Sequence, residues 1–400
     1  MERFKDHCTV ISGFAFKSAD LHDYDDIPII KIGNISNGGN IDIKKETQYV
    51  SNEFLSIDKK YHINCGDILI SLTGSHINQP NSMVGRSCRS YDTDTYLLNQ
   101  RAGKVICNDD TNDDYMYYLL NLRAVKENIV NRAYGAANQV NVSPSDIMKI
   151  KWTFPDIIIQ NRIGAILSNY DKLIFINTKR IKTLEQMAEN LYKEWFVRFR
   201  FPGHEKAEFE KENPKNWILS YTNTMKKPKT WRYAKLSEFG EFIRGKNITS
   251  EQMVEGEIPV ISAGVEPSGY HNQSNVHGEC ITISASGANA GLLKYNLSDI
   301  WAADCSYYQN DDNLWFIYNS LRFLQKLLFN LQCGAAQPHV YPKHINKISI
   351  IKPDDNLIVQ YCNTVKPFYD EIYKLMKSNE NLIKQRDLLL PRLMSGKLEV

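Results

Sequence analysis

A chain of 400 residues with 42% hydrophobic and 24% charged residues and a formal net charge of +2 is too long for one ordinary domain, too apolar for disorder and too balanced for a histone-like polycation. No run of about 18 apolar residues occurs, which excludes a helical membrane span, and the opening Met1–Cys8 carries no apolar signal core. The eight cysteines are scattered without a Cys-x-x-Cys pair, which argues against a zinc or disulfide framework and for free thiols in the cytoplasm.

In chain order, Ile11-Ser12-Gly13 and Ile27-Pro28-Ile29-Ile30 come first. Val50–Phe54, Asp67–Leu72 and Tyr96–Ile106 then have strand composition, divided by Gly, Asn, Ser and Asp clusters. A short helix is expected over Asp113–Val130. There follow Gly135-Ala136-Ala137-Asn138-Gln139, Pro144, an Ile-rich strand-like run from Ile147 to Trp152, Pro155-Asp156 and Ile157-Ile158-Ile159-Gln160. The pattern then turns helical: Ile163, Ile166, Tyr170, Leu173, Asn177, Arg180, Leu184, Met187 and Leu191 alternate at heptad spacing. Phe201-Pro202-Gly203 and a charged run to Lys215 read as a linker, followed by a small duplication, Pro214–Trp217 and Pro228–Trp231.

The second half repeats the first. Ile243-Arg244-Gly245 and Ile258-Pro259-Val260-Ile261 echo the front end. Glu279–Ser284 and Asn313–Tyr318 read as strands, and Ser320–Leu331 as a short helix. Gly334-Ala335-Ala336-Gln337-Pro338, Pro342, Ile345–Ile351, Pro353-Asp354 and Leu357-Ile358-Val359-Gln360 return in the same order about 200 residues on. A second heptad seam closes the chain: Tyr361, Val365, Phe368, Ile372, Leu375, Asn379, Leu382, Arg386, Leu389 and Leu393. The front landmarks are displaced further than the rear ones, so the first unit carries roughly 32 more residues between them: one frame with two fillings. The alternative is a duplicated structural domain with drifted loops.

Each long helix spans about 50 Å at about 1.5 Å per residue and must bury its stripe, most simply against the other copy in an antiparallel coiled coil. Asn177 and Asn379 at seam positions would fix register and orientation. The expected architecture is α+β: two globular domains joined by two long antiparallel coiled-coil helices in a pseudo-two-fold repeat. Its parts are domain one over 1–155, helix 156–200, linker 201–230, domain two over 231–354 and helix 355–400.

Several chemistries lack their residues. There is no phosphate-binding Gly-x-x-x-x-Gly-Lys-Ser/Thr loop, no Gly-x-Gly-x-x-Gly turn after a strand and no His-Glu-x-x-His. No Asn/Asp-Pro-Pro-aromatic motif occurs, Asn78-Gln79-Pro80 not being one, and the Pro-Asp pairs lead into helices rather than a nuclease strand.

The stretch Pro155 to Pro202, with Ile159-Gln160-Asn161-Arg162-Ile163-Gly164-Ala165-Ile166-Leu167 and Leu191-Tyr192-Lys193-Glu194-Trp195-Phe196, resembles the central conserved region of the specificity subunits of Type I restriction-modification systems. Leu388-Leu389-Leu390-Pro391-Arg392-Leu393-Met394-Ser395-Gly396-Lys397-Leu398 resembles their distal region, and Ile11 to Ser18 a common opening of their first recognition domain. The chain departs from the pattern at Ile159-Gln160-Asn161 and Val359-Gln360-Tyr361, which lack a glutamate after the Gln, and its start lacks a Trp-containing lead-in like that at Trp231. The resemblance implies a non-catalytic chain whose two target-recognition domains each read half of a bipartite, asymmetric double-stranded DNA site. It further implies two methylating subunits docked on the helices, and admits two restriction subunits. This chain would bind no cofactor itself: S-adenosylmethionine, and ATP with Mg, would belong to those partners. The rival reading is a coiled-coil scaffold that binds proteins without DNA specificity.

Sequence is read from base edges mostly by Arg, Lys, Asn and Gln, while phosphate contacts set position. Candidates in the first unit are Lys17, Ser18, Arg86, Arg89, Asn99, Gln100, Arg101, Arg132, Tyr134, Asn138 and Gln139. In the second they are Arg244, Lys246, Asn247, Lys294, Tyr307, Gln309, Gln337, His339 and Lys343. Each suits a solvated turn as well. The Gly135 and Gly334 loops stand out because both units carry them.

Overall fold

In a computed structural model, residues 1–43, 47–76, 79, 82–92, 94–136, 139–211, 226–334 and 338–400 are described. They form two units, Met1–Lys179 with Lys377–Val400, and Arg180–Met376. Each unit therefore contains one globular module and a stretch of both long helices, Ile157–Tyr192 and Asp355–Met394.

The first module is closed by Glu2–Arg3 pairing antiparallel with Lys151–Trp152. Its main sheet is antiparallel, in the order Cys8–Ser12, Ala102–Cys107, Ile68–Ser71, Ser87–Arg89. A second sheet sets Ile27–Ile30 parallel to Tyr96–Leu98, with Gln48–Val50 and His62–Ile63 outside them. The helix Asp113–Asn121 buries Tyr115, Met116, Tyr117, Leu119 and Leu120, and its first turn is capped by Asn112, whose side chain accepts from the Tyr115 amide. It stops at Leu122, whose ψ is extended, before Arg123–Val130.

The second module repeats this plan. Arg232–Lys235 pairs with Ser349–Lys352, and the main sheet runs Ile243–Arg244, Cys305–Tyr308, Cys280–Ser284, Leu293–Asn296. Ile258–Ile261 lies parallel to Trp301–Ala302, as Ile27–Ile30 does to Tyr96–Leu98. The small sheet of Tyr134–Ala136, Gln139–Asn141 and Thr73–Gly74 is echoed in the second module by the bridges Cys333↔His339 and Ser286↔His339, and His62–Ile63 by Val276↔Ile300. Asn313–Tyr318 corrects the sequence reading: Asn313 caps the helix Leu314–Phe323 and Leu314–Tyr318 lie within it, so the run is not a strand. Leu314 to Tyr318 are all buried, so the run has no exposed face from which its period could be read. Likewise the strand expected over Val50–Phe54 ends at Val50, and Asn52–Ser56 forms a 3₁₀ turn.

The stretch 201–230 holds more structure than a linker. Phe201 is buried with its ring centroid 4.8 Å from that of Trp231, and Phe209–Lys211 pairs with Lys226–Pro228. The duplicate Pro214–Trp217 lies outside the described residues.

The long helices pack antiparallel within each unit. In the first, Asp171 meets Arg386 and the Asn177 amide donates to Asn379 Oδ1 at 2.9 Å. In the second, Arg180 pairs with Glu371 at 2.9 Å and the Tyr361 hydroxyl donates to the Ala188 carbonyl at 3.0 Å. On Asp355–Met394 the residues Tyr361, Val365, Phe368, Ile372, Leu375, Asn379, Leu382, Arg386, Leu389 and Leu393 are all buried or half-buried. On Ile157–Tyr192 the phase differs from the sequence reading. Ile163, Tyr170, Asn177, Leu184 and Leu191 face inward, but Ile166, Leu173, Arg180 and Met187 are exposed; Leu167, Ile174, Ile181 and Ala188 take the inner positions. Both flanking stripes are largely apolar, so spacing alone cannot choose between them; the partner helix does.

Candidate nucleic-acid interface

At one corner of each module three segments meet in the same backbone arrangement. In the second, Gly245 N–H donates to the Cys305 carbonyl, Lys246 N–H to Ala302, Ala285 N–H to Asp304 and Val340 N–H to Ala285, at 2.8 to 3.2 Å. In the first, Gly13 N–H donates to Ala102, Phe14 N–H to Leu98, Leu72 N–H to Arg101 and Val142 N–H to Leu72, at 2.8 to 3.0 Å. The glycine is required in both: a Cβ on Gly13 would stand 2.4 Å from the Leu98 and Asn99 carbonyl oxygens, and one on Gly245 2.4 Å from that of Ala303.

This pattern makes Ser12 equivalent to Arg244, Thr73 to Ser286, Arg101 to Asp304 and Asn141 to His339. The bridges Thr73↔Asn141 and Ser286↔His339 agree. One frame thus presents two side-chain sets. In the first module the Thr73 hydroxyl donates to Asn141 Oδ1 at 2.6 Å, while Arg101 is exposed on the turn that includes Asn99 and Gln100. In the second, Asp304 accepts from both Arg244 and the Ser286 hydroxyl. His339 stacks near Tyr341 with ring centroids 5.9 Å apart, and Lys343 Nζ lies over the Tyr341 ring at 5.6 Å. Lys246 and Asn247 are exposed on the segment that follows Gly245.

Of the sequence candidates, this corner therefore gathers Arg101 with its neighbours Asn99 and Gln100, and Arg244, Lys246, His339 and Lys343. Tyr134 and Gln139 flank it on the small hairpin and are exposed. Asn138 and Gln337 lie outside the described residues. Lys17 and Ser18 are exposed in a 3₁₀ turn, and no described contact links them to the corner.

Arg86 and Arg89 are corrected: both are buried. Arg86 donates to the Met83 and Ile32 carbonyls at 3.1 and 2.9 Å, and burial lowers its pKa. Arg89 donates to the Gly66 carbonyl at 3.0 Å, pairs with Asp114 and lies over the Tyr117 ring. They satisfy buried backbone and charge rather than face a ligand. Arg132 is tied to Asn128 of the helix that precedes it, and Lys294, its pKa lowered by burial, donates to the carbonyls of Gly264 and Val265. Tyr307 packs on the core, and Gln309 donates to the His277 carbonyl.

Thr73, Asn141, Ser286 and Asp304 were not among the candidates. A signal did exist for Asn141, in its likeness to the candidate His339. Asn141-Val142-Ser143-Pro144 and His339-Val340-Tyr341-Pro342 share a Val-x-Pro frame, with the variable residue before the valine.

A duplicated α+β module on a paired-helix stem, with equivalent polar corners filled differently, defines a two-site recognition protein. The family model for the Type I restriction modification DNA specificity domain matches residues 1–186 and 228–385. The chain belongs to that family: it is the specificity chain of a Type I restriction-modification system, a DNA-recognising component and not the catalyst. Among relatives, it is 25% identical to the Type I restriction enzyme MjaIX specificity subunit of Methanocaldococcus jannaschii, over 96% of each chain. It is 24% identical to the HindI specificity subunit of Haemophilus influenzae, over 63% of this chain and 70% of that one. The crystal structure of the Type-I restriction-modification system S subunit from M. genitalium shares the fold, with a TM-score of 0.57 at 17% identity over 98% of this chain and 95% of that one.

Proposed function

We propose that each module reads one half of a bipartite, asymmetric double-stranded DNA site, and that the long helices carry two methylating subunits. The observation that carries this reading is the pair of equivalent corners, Ser12–Thr73–Arg101–Asn141 and Arg244–Ser286–Asp304–His339: one scaffold, two hydrogen-bonding sets. Different sets on one frame select different bases, since each base pair shows its own donor and acceptor pattern in the major groove.

Docking on the helices is supported by their outer faces. Ile166, Leu173, Ile176 and Met187 on the first, and Met376, Ile383 and Leu388 on the second, are exposed apolar side chains at between 37% and 66%. Such stripes on a stem that also has a buried seam suit a partner protein. S-adenosylmethionine would be bound by the methylating subunits, and ATP with Mg by two restriction subunits where these join. Among the described residues no helix is long and apolar enough to cross a membrane, and the complex would act in the cytoplasm.

The test is co-expression with its cognate methylating subunit in a methylation-free host, with modified bases mapped by long-read sequencing. The expected result is a methylated bipartite motif that vanishes when this chain is omitted. A complex that forms but leaves no motif would overturn the reading in favour of a protein-binding scaffold.

A further inference from the structure

We propose that Arg244, buttressed by Asp304 and Ser286, recognises a guanine in the half-site read by the second module; this rests on the function proposed above. Three observations converge. The Arg244 side chain is partly exposed, at 38%, and its described side-chain partner is Asp304 through one terminal nitrogen, so Nε and Nη1 have no partner among the described residues. Asp304 is itself fixed, its other carboxylate oxygen accepting from Ser286 and its backbone carbonyl from Ala285. Asp304 takes one of the two Nη2 hydrogens, so the other is left to form a parallel pair with a neighbouring N–H, and the guanidinium plane is held while one edge stays open.

That arrangement suits a base edge better than a phosphate. A phosphate contact draws its affinity from net positive charge, which an adjacent carboxylate cancels. A carboxylate buttress instead fixes the direction of a planar fork, and a fork with two parallel N–H groups matches the O6 and N7 acceptors of guanine in the major groove. Net positive charge for the DNA backbone is available nearby at Lys246 and Lys343, both exposed and neither paired with a carboxylate among the described residues. The equivalent corner of the first module places Ser12 where Arg244 stands and Arg101 where Asp304 stands, so it cannot form the same buttressed fork.

The experiment maps methylated motifs for the complete methylating complex with the natural chain and with Arg244→Ala, Arg244→Lys and Asp304→Asn. The expected result is a guanine position in one half-site of the natural motif that becomes degenerate in all three variants. Preference there should fall by about tenfold or more in Arg244→Ala, while the other half-site is unchanged. Lysine should fail to restore the preference because it lacks the planar fork. Asp304→Asn is the variant that separates roles, since it leaves the arginine in place and removes only its anionic anchor. A natural motif that survives with every position intact in all three variants would overturn the inference while leaving the proposed function standing. So would methylation that weakens evenly across positions, with the salt dependence of DNA binding reduced by about one charge, the mark of a phosphate contact. Absence of any motif with the natural chain would remove the functional reading and this inference with it.

Discussion

The amide of Asn177 donates to the side-chain oxygen of Asn379 at 2.9 Å, joining the two seam asparagines, one from each long helix. The pair lies on the inner face of the antiparallel helices, and the Asn379 amide donates in turn to Thr178 Oγ1 at 3.4 Å. Asn177→Leu should therefore destabilise the unit by about 1 kcal/mol, because the Asn379 side-chain oxygen loses its donor. Asn177→Leu combined with Asn379→Leu should recover that loss or exceed it, since an apolar seam needs no pairing. Thermal unfolding of the three proteins checks both statements; a double variant less stable than the single one would contradict them.

Asp171 is 3% exposed and takes a guanidinium hydrogen from Arg386 and the Tyr118 hydroxyl at 2.6 Å. It ties the first module's helix Asp113–Asn121 to both long helices at once. Asp171→Asn removes the buried one of the two carboxylates paired with Arg386 and leaves only the exposed Asp387, so it should cost more than the about 1 kcal/mol expected of Tyr118→Phe. Chemical denaturation ranks the two.

Lys126 offers a pH-dependent signature. Burial, reinforced by Arg386 and opposed by Asp387, pushes its ammonium down to about 8. A lysine whose folded pKa lies below its unfolded value binds fewer protons when folded, so its destabilising effect is complete below about pH 8 and fades towards about pH 10.5. Lys126→Met should raise the melting temperature at pH 7 and lose that advantage as the pH rises through this window. An advantage independent of pH would contradict the assignment.

Gly13→Ala and Gly245→Ala place a Cβ against backbone oxygens that cannot move aside. Each should destabilise its own module by about 1 to 3 kcal/mol and weaken selection in one half-site only. Motif mapping beside thermal unfolding detects both effects.

A heptad inserted after Lys179, matched by one before Lys377, lengthens each helix by about 10 Å, or about three base pairs at about 3.4 Å each. The non-specific spacer between the half-sites should widen accordingly. An unchanged spacer would contradict a helical ruler.

Much of this fold was legible because the repeat and the heptads are strong, regular signals. The second helix was readable through Pro367, which sits on its exposed face and costs it one backbone bond without shifting the apolar phase. The first helix was readable in extent but not in phase, because Ile166 and Leu173 are as apolar as Leu167 and Ile174. The site was far less legible. Arg86 and Arg89 look like DNA ligands by type, yet the fold spends both on buried carbonyls and Asp114. Asp304 looks like the wrong charge for DNA, and its meaning lies in Arg244 and Ser286, which chain spacing alone does not bring to it.

The central claim, that each module reads its own half of the site, is tested most directly by exchange. Residues 231–354 would be replaced with the corresponding segment of the Haemophilus influenzae HindI specificity subunit, and the methylated motif mapped in the same host and complex. The account predicts a motif with one half-site replaced and the other half-site retained. A motif in which both halves change, or neither does, would contradict it.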